Sequence, residues 1–246
     1  MQKLIYLFSF FLTVPVLFFS CDEKVADDNP DNAIAYYPMQ TGKYVIYDVD
    51  STIYNETTPD ETHHWQIKEE IVDTFYDLDN ILNYRIERYQ RINDSAAWAL
   101  QEVWSVRDVN GSIERDENNL RFVKLISPVS VNRQWNGTIY LGDLDSLPFE
   151  IGCNKLSFLE DWDYTYITVD SSVTINDMLF DSTLTVFQQG ADNLLELNYA
   201  IEVYAKGVGM VKKEFYHYTS QITDDINWED KVECGYKYLM TVVEFN

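Results

Sequence analysis

ELNYAIEVYAKGVGMVKKEFYHY (Glu196–Tyr218) decides the fold class. A helical pattern can be forced on Asp192–Tyr204. However, Glu196 and Asn198 alternate with Leu197 and Tyr199, the period of two that belongs to a strand. Gly207-Val208-Gly209 then interrupts the run and reads as a tight turn or bulge, because glycine accepts backbone conformations closed to other residues. Met210–Tyr218 resumes in the same strand-prone vocabulary.

The same grammar extends both ways along the chain. Runs rich in Tyr, Val, Ile, Thr and Trp are divided by Asp, Asn, Gly and Ser. Besides Glu196–Ala205 and Met210–Tyr218, strands are expected at Lys43–Asp50, Gln66–Phe75, Asn83–Arg91, Trp98–Asp108, Leu120–Ile126, Asp163–Asp170, Thr183–Gln189 and Tyr238–Phe245. Asn110-Gly111 marks a hairpin, since both residues accept φ > 0. Helical periodicity is scarce, and no internal repeat stands out. The expected fold is all-β and mainly antiparallel, a single twisted sheet curling into a sandwich, half-barrel or barrel, with little helix.

The N-terminus carries the most specific signal. Lys3 is the lone charge before Asp22, and Leu4–Phe19 is almost wholly apolar. That run is short for a membrane span, which needs about 20 apolar residues, but it suits a secretory signal. It ends at Ser20-Cys21, and a small residue directly before Cys resembles the bacterial lipobox. Residues 1–20 are therefore read as a signal peptide. Residues 21–35 are read as a flexible acidic tether anchored by lipid on Cys21, and 36–246 as a single β-rich domain. Two or three acyl chains on one Cys anchor firmly, where one alone is marginal.

Composition narrows the function classes. The chain has 246 residues and a net charge of −23, which becomes −24 once the leader and its Lys3 are removed. No basic stripe offsets this, so nucleic acid and bare anionic surfaces are unsuitable partners. Aromatic residues make up 15% of the chain, 18 of them Tyr, which argues for a folded, well-packed body. With Cys21 lipidated, Cys153 and Cys234 remain; in an exported chain they are either a disulfide or two buried thiols.

Several stretches resemble a group of uncharacterised envelope lipoproteins of Bacteroides-type bacteria (Bacteroidota). These are YYPMQTGKYVIYDVDS (Tyr36–Ser51), NLRFVKLISPVSVNRQWNGTIY (Asn119–Tyr140), STLTVFQQ (Ser182–Gln189), EVYAKGVGMVKKEFYHY (Glu202–Tyr218) and GYKYLMTVVEFN (Gly235–Asn246). The resemblance implies an outer-membrane lipoprotein with a mostly β body and no established activity, and it supplies no catalytic residue. It also implies that the acidic pair Asp22-Glu23 acts as a surface-export signal, with anchoring on the periplasmic side as the alternative. Such bacteria O-glycosylate Asp-Ser/Thr sites, a pattern found here at Ser51, Ser95, Ser146 and Ser182. The competing reading of those serines is an ordinary turn in which Asp and Ser bond nearby backbone.

No chemical motif stands out. There is no Gly-x-Ser-x-Gly elbow, phosphate loop or His-Glu-x-x-His. Of the three histidines, His63 and His64 point to opposite strand faces, and His217 sits among aromatics as a packed or surface residue. Acidic pairs such as Asp77/Asp79 and Asp161/Asp163 are common in so acidic a chain, and none completes a Ca²⁺ loop. No metal, cofactor or catalytic residue is therefore expected. Trp162, Tyr164 and Tyr166 share one strand face, as do Trp98 and Trp104. They form either a ligand face or an ordinary aromatic core, and the core is favoured by the area such rings bury.

Two functions are expected from this. The first is a non-enzymatic accessory that docks onto an outer-membrane protein complex. The second is a module binding a glycan or an apolar ligand through an aromatic face or cavity. A large concave aromatic cavity favours the second; a filled interior with an exposed apolar patch favours the first.

Overall fold

The structure is a computed structural model and describes residues 32–147, 150–151 and 153–246. The leader, Cys21 and most of the tether lie outside the described residues. The strands are β1 (Tyr44–Tyr54), β2 (Glu61–Tyr76), β3 (Leu82–Arg91), β4 (Ala99–Val109), β5 (Ser112–Glu117), β6 (Leu120–Ile126) and β7 (Gln134–Asn136). They continue with β8 (Glu150–Ile151), β9 (Asn154–Lys155), β10 (Asp163–Ile175), β11 (Met178–Asp192), β12 (Glu196–Ala205), β13 (Gly209–Thr219) and β14 (Cys234–Phe245).

Twelve of these strands form one antiparallel sheet in the order β6-β5-β4-β3-β2-β1-β14-β13-β12-β11-β10-β7, while β8 and β9 pair with each other. The sheet curls into a nearly closed barrel, resolving the three expected shapes. Each half is a meander of hairpins, and the halves join where β1 pairs with β14. Asparagine sets three two-residue turns, with positive φ at Asn110-Gly111, Asn118-Asn119 and Asn176-Asp177. These turns match the twist of the flanking strands.

All ten expected strands are present. Missed were β5, whose SIERDE sequence has no apolar alternation, and the short β7, β8 and β9. The body also begins earlier than expected. Ala33 and Tyr36 are fully buried and Ala35 packs against the core, while Ile34 is exposed, so the segment from Ala33 is joined to the body rather than to the tether. Ala33 N–H donates to Ser127 Oγ at 3.0 Å, and Ala35 C=O accepts from Gly207 N–H at 2.8 Å, which ties this segment to two turns of the barrel.

Closure depends on the region after β6. Val123 N–H donates to Gly137 C=O at 2.8 Å, and Gly137 N–H donates to Trp162 C=O at 2.9 Å, so Gly137 bridges the two open edges. A Cβ at Gly137 would fall inside the Tyr164 ring, so only glycine fits this seam. Tyr166 strengthens it, its hydroxyl accepting from Ile126 N–H at 2.7 Å and donating to Ile126 C=O at 2.8 Å.

Candidate functional site: a charged and aromatic cavity inside the barrel

Inward-facing side chains do not fill the barrel. A cavity of about 830 Å³ remains between the two meanders. One part is apolar, lined by Leu120, Phe122, Leu156, Trp162, Phe215 and Met240. Trp162 and Phe215 stack with ring centroids 6.1 Å apart, and Trp162 Nε1–H is satisfied by Phe158 C=O at 2.6 Å.

The other part is a continuous chain of eight charges that alternate in sign. Glu102 meets Arg88; Arg88 Nε donates to Glu69 at 2.9 Å; Glu69 accepts from Arg115 at 2.7 Å. Arg115 reaches Glu117 at 3.2 Å, Glu117 lies 3.5 Å from Lys124, Lys124 donates to Glu202 at 2.6 Å, and Lys213 meets Glu202 at 3.2 Å. Lys124 on β6 and Glu202 on β12 are not neighbours in the sheet, so their bond crosses the interior. Tyr204 donates to the second Glu202 oxygen at 2.6 Å, and the Arg88 and Arg115 guanidiniums both lie over the Trp104 ring. The middle members are the most enclosed; Glu102 and Lys213, at the ends, are the most exposed.

Electrostatics keeps Glu69, Glu117, Glu202 and Lys213 ionised. Burial alone pushes the Glu202 carboxyl up, but Lys124 and Lys213 outweigh it and hold it at about 2. Glu69 and Glu117 are likewise lowered against burial, Glu69 by Arg115 and Arg88, Glu117 by Lys124 and Arg115. Burial lowers Lys213 less than Glu202 and Glu117 raise it. Buried ion pairs contribute little net stability over well-packed apolar residues. Seven such links around one cavity therefore make it the candidate site.

Gln188 also lines the cavity. It is 4% exposed, and its Nε2 has no hydrogen-bond partner among the described residues.

The structure sorts the residues picked out from sequence. Trp162, Tyr164 and Tyr166 all turn inward and are buried. Trp162 and Tyr164 line the cavity, whereas Tyr166 is spent on barrel closure, so the three form no exposed face for stacking on a glycan. Trp104 lines the cavity, whereas Trp98 does not and instead lies beneath the Arg91 guanidinium. Cys153 and Cys234 are brought together as a disulfide, their Cα atoms 5.8 Å apart. Among the four Asp-Ser sites, Ser95 is exposed in a turn, Ser146 is exposed at the end of a short 3-10 helix, and Ser182 is half-buried and bonded to Asp170 at 2.7 Å. Ser51 is 3% exposed within β1, in a strand rather than a turn. His63 and His64 are exposed on β2, His64 bonding Asp50 at 2.9 Å. Among the described residues no three His, Cys, Asp or Glu side chains gather as a metal site would require.

His217 is buried, stacked on Phe158 with centroids 3.7 Å apart and hydrogen-bonded to Asn198. Burial holds its imidazole at about 4, with Glu196 opposing. The unfolded chain binds this proton near pH 6.5, the folded one only near 4, so stability falls as pH drops through that window and the loss is complete below it. Urea unfolding should show a loss of up to roughly 3 kcal/mol between pH 6.5 and 4. His217→Phe should flatten that slope. An unchanged slope in the variant would rule His217 out as its source. The lowered carboxyls of Glu69, Glu117 and Glu202 add a further loss below about pH 4.5.

No protein-family model and no curated protein matches the chain. Among solved structures it is compared with a DUF1329 family protein from Desulfovibrio piger. The two share 11% identity over 88% of this chain and 90% of the other, with a TM-score of 0.20, too low to carry an argument.

Proposed function

We propose that the protein is a lipid-anchored module of the cell envelope that binds a ligand with an apolar body inside its barrel. The cavity carries this reading. At about 830 Å³ it lies within the size range of small-molecule sites, and it combines aromatic walls with a few convergent polar groups. Its aromatics are enclosed rather than displayed, which favours an engulfed apolar body over a surface-stacked glycan. The charged groups are paired with one another, an arrangement that holds shape and orients a ligand rather than moving protons. Catalysis therefore forms no part of the proposal.

The anchor is proposed from the leader and its resemblance to Bacteroidota lipoproteins: acyl chains on Cys21 hold the body at the outer membrane, on either face. A Cys21→Ala protein should lose incorporation of a labelled lipid precursor; retained label removes the anchor.

Binding is tested with N-phenyl-1-naphthylamine, an uncharged dye that brightens in apolar surroundings. Saturable one-to-one enhancement is expected. Leu120→Trp, which fills part of the apolar wall, should weaken it about tenfold. A wild-type protein that gives no saturable enhancement overturns the ligand reading and leaves docking onto a membrane complex in its place.

A further inference from the structure

We propose that the ligand of this cavity is uncharged and that the side-chain amide of Gln188 donates to a carbonyl or ether oxygen on it. This rests on the ligand-binding reading above and names its chemical class.

Two observations converge. The first is charge balance. The ionisable carboxylates and bases lining the cavity are Glu69, Glu102, Glu117 and Glu202 against Arg88, Arg115, Lys124 and Lys213, four of each sign. Every one is engaged with an opposite charge within the chain described above. An anionic or cationic headgroup would enter a low-dielectric space with no free counter-charge. It would either remain unpaired or break a pair and strand a buried charge, and both are unfavourable.

The second is an orphaned donor: besides Arg115 Nε, which lies 3.2 Å from Glu117, the buried polar atom of the lining without a hydrogen-bond partner among the described residues is Gln188 Nε2. Gln188 lies on the inward side of β11 with Leu184 and Val186. The β11–β12 register passes over it, with Phe187 facing Ile201 and Gln189 facing Ala200, so Gln188 is the extra residue of a β-bulge. Bulges re-aim side chains, often next to binding sites. A buried amide N–H without a partner is unfavourable, and leucine would suit the Leu184/Val186 face. The missing acceptor is supplied if the ligand brings it. A neutral ester, amide or ether meets both conditions, placing its apolar body among Leu120, Phe122, Phe215 and Met240.

The test uses the full mature chain and three amphiphiles with the same dodecyl chain length. Monododecanoylglycerol, dodecanoate and dodecylamine each compete with N-phenyl-1-naphthylamine below their micelle concentrations. The neutral acylglycerol should displace the dye at about tenfold lower concentration than either charged compound. Gln188→Leu should weaken the acylglycerol about three- to tenfold relative to the dye, whose own affinity for the variant is measured alongside. Gln188→Glu, which adds one unpaired acid, should shift preference toward dodecylamine, a gain that a merely structural role would not produce.

Equal or tighter binding of dodecanoate or dodecylamine to the wild type overturns the proposal while the ligand-binding reading stands. So does a Gln188→Leu protein with unchanged selectivity, in which case water satisfies the amide. Failure of the dye itself to bind removes both.

Discussion

Replacing Glu202 with alanine should destabilise the barrel by about 3–5 kcal/mol, the range for breaking a buried ion pair from one side. The carboxylate is fully buried and accepts from Lys124, Lys213 and Tyr204. Its loss leaves Lys124, itself almost fully buried, without its closest partner, and strands a Tyr hydroxyl. Lys213 sits nearer the rim and can turn toward water. Urea unfolding midpoints at constant m-value would measure the change. Because the cost arises from stranded charge, Glu202→Leu combined with Lys124→Met should recover most of it, as apolar replacement of a whole buried pair is often neutral. A double variant as unstable as the two singles added together would show that Glu202 and Lys124 contribute independently and that stranded charge is not the source of the cost.

Removing both Cys153 and Cys234 as serines should have a comparable effect. The bond closes a loop with a sequence separation of 81 residues. Restricting the unfolded chain by that much is worth about 4–5 kcal/mol in the loop-entropy model, with measured values commonly nearer 2–4. The loop contains β10 to β13, and the bridge also fastens Asn154, whose side-chain amide donates to Cys234 Sγ at 3.1 Å. Thermal unfolding of wild type with and without reductant, set beside the double serine variant, measures the effect. If reductant leaves the wild-type midpoint unmoved, the bridge contributes nothing to stability.

The fold was legible in sequence because most strands announce themselves by composition and because Asn and Gly mark their turns. Three asparagine-led turns have the same backbone geometry, yet Asn110-Gly111 alone drew notice. Asn118-Asn119 and Asn176-Asp177 carry the same tolerance for positive φ and could have been read that way. The cavity was not legible, and the reason is physical. Pattern reading assigns charged residues to the outside, but here Asn198 and Glu202 on β12 are buried, while Leu197 and Tyr199 are only partly so. The alternation correctly signals a strand; it cannot tell which face is enclosed when the enclosed face is charged. Six of the seven links in the chain of charges join different strands, Arg115–Glu117 within β5 being the exception, and Lys124 meets Glu202 across 78 residues of chain. No local spacing can reveal such a pair.

The pairing of β1 with β14 governs how the molecule comes to be folded. Tyr44 and Glu244 are hydrogen-bonded neighbours although 200 residues separate them in sequence. β1 therefore lacks one of its flanking strands until β14 has been made. A growing chain can form hairpins on either side, but the wall stays open until β14 is in place beside β1. Topologies with such distant partners assemble slowly, on millisecond to second timescales.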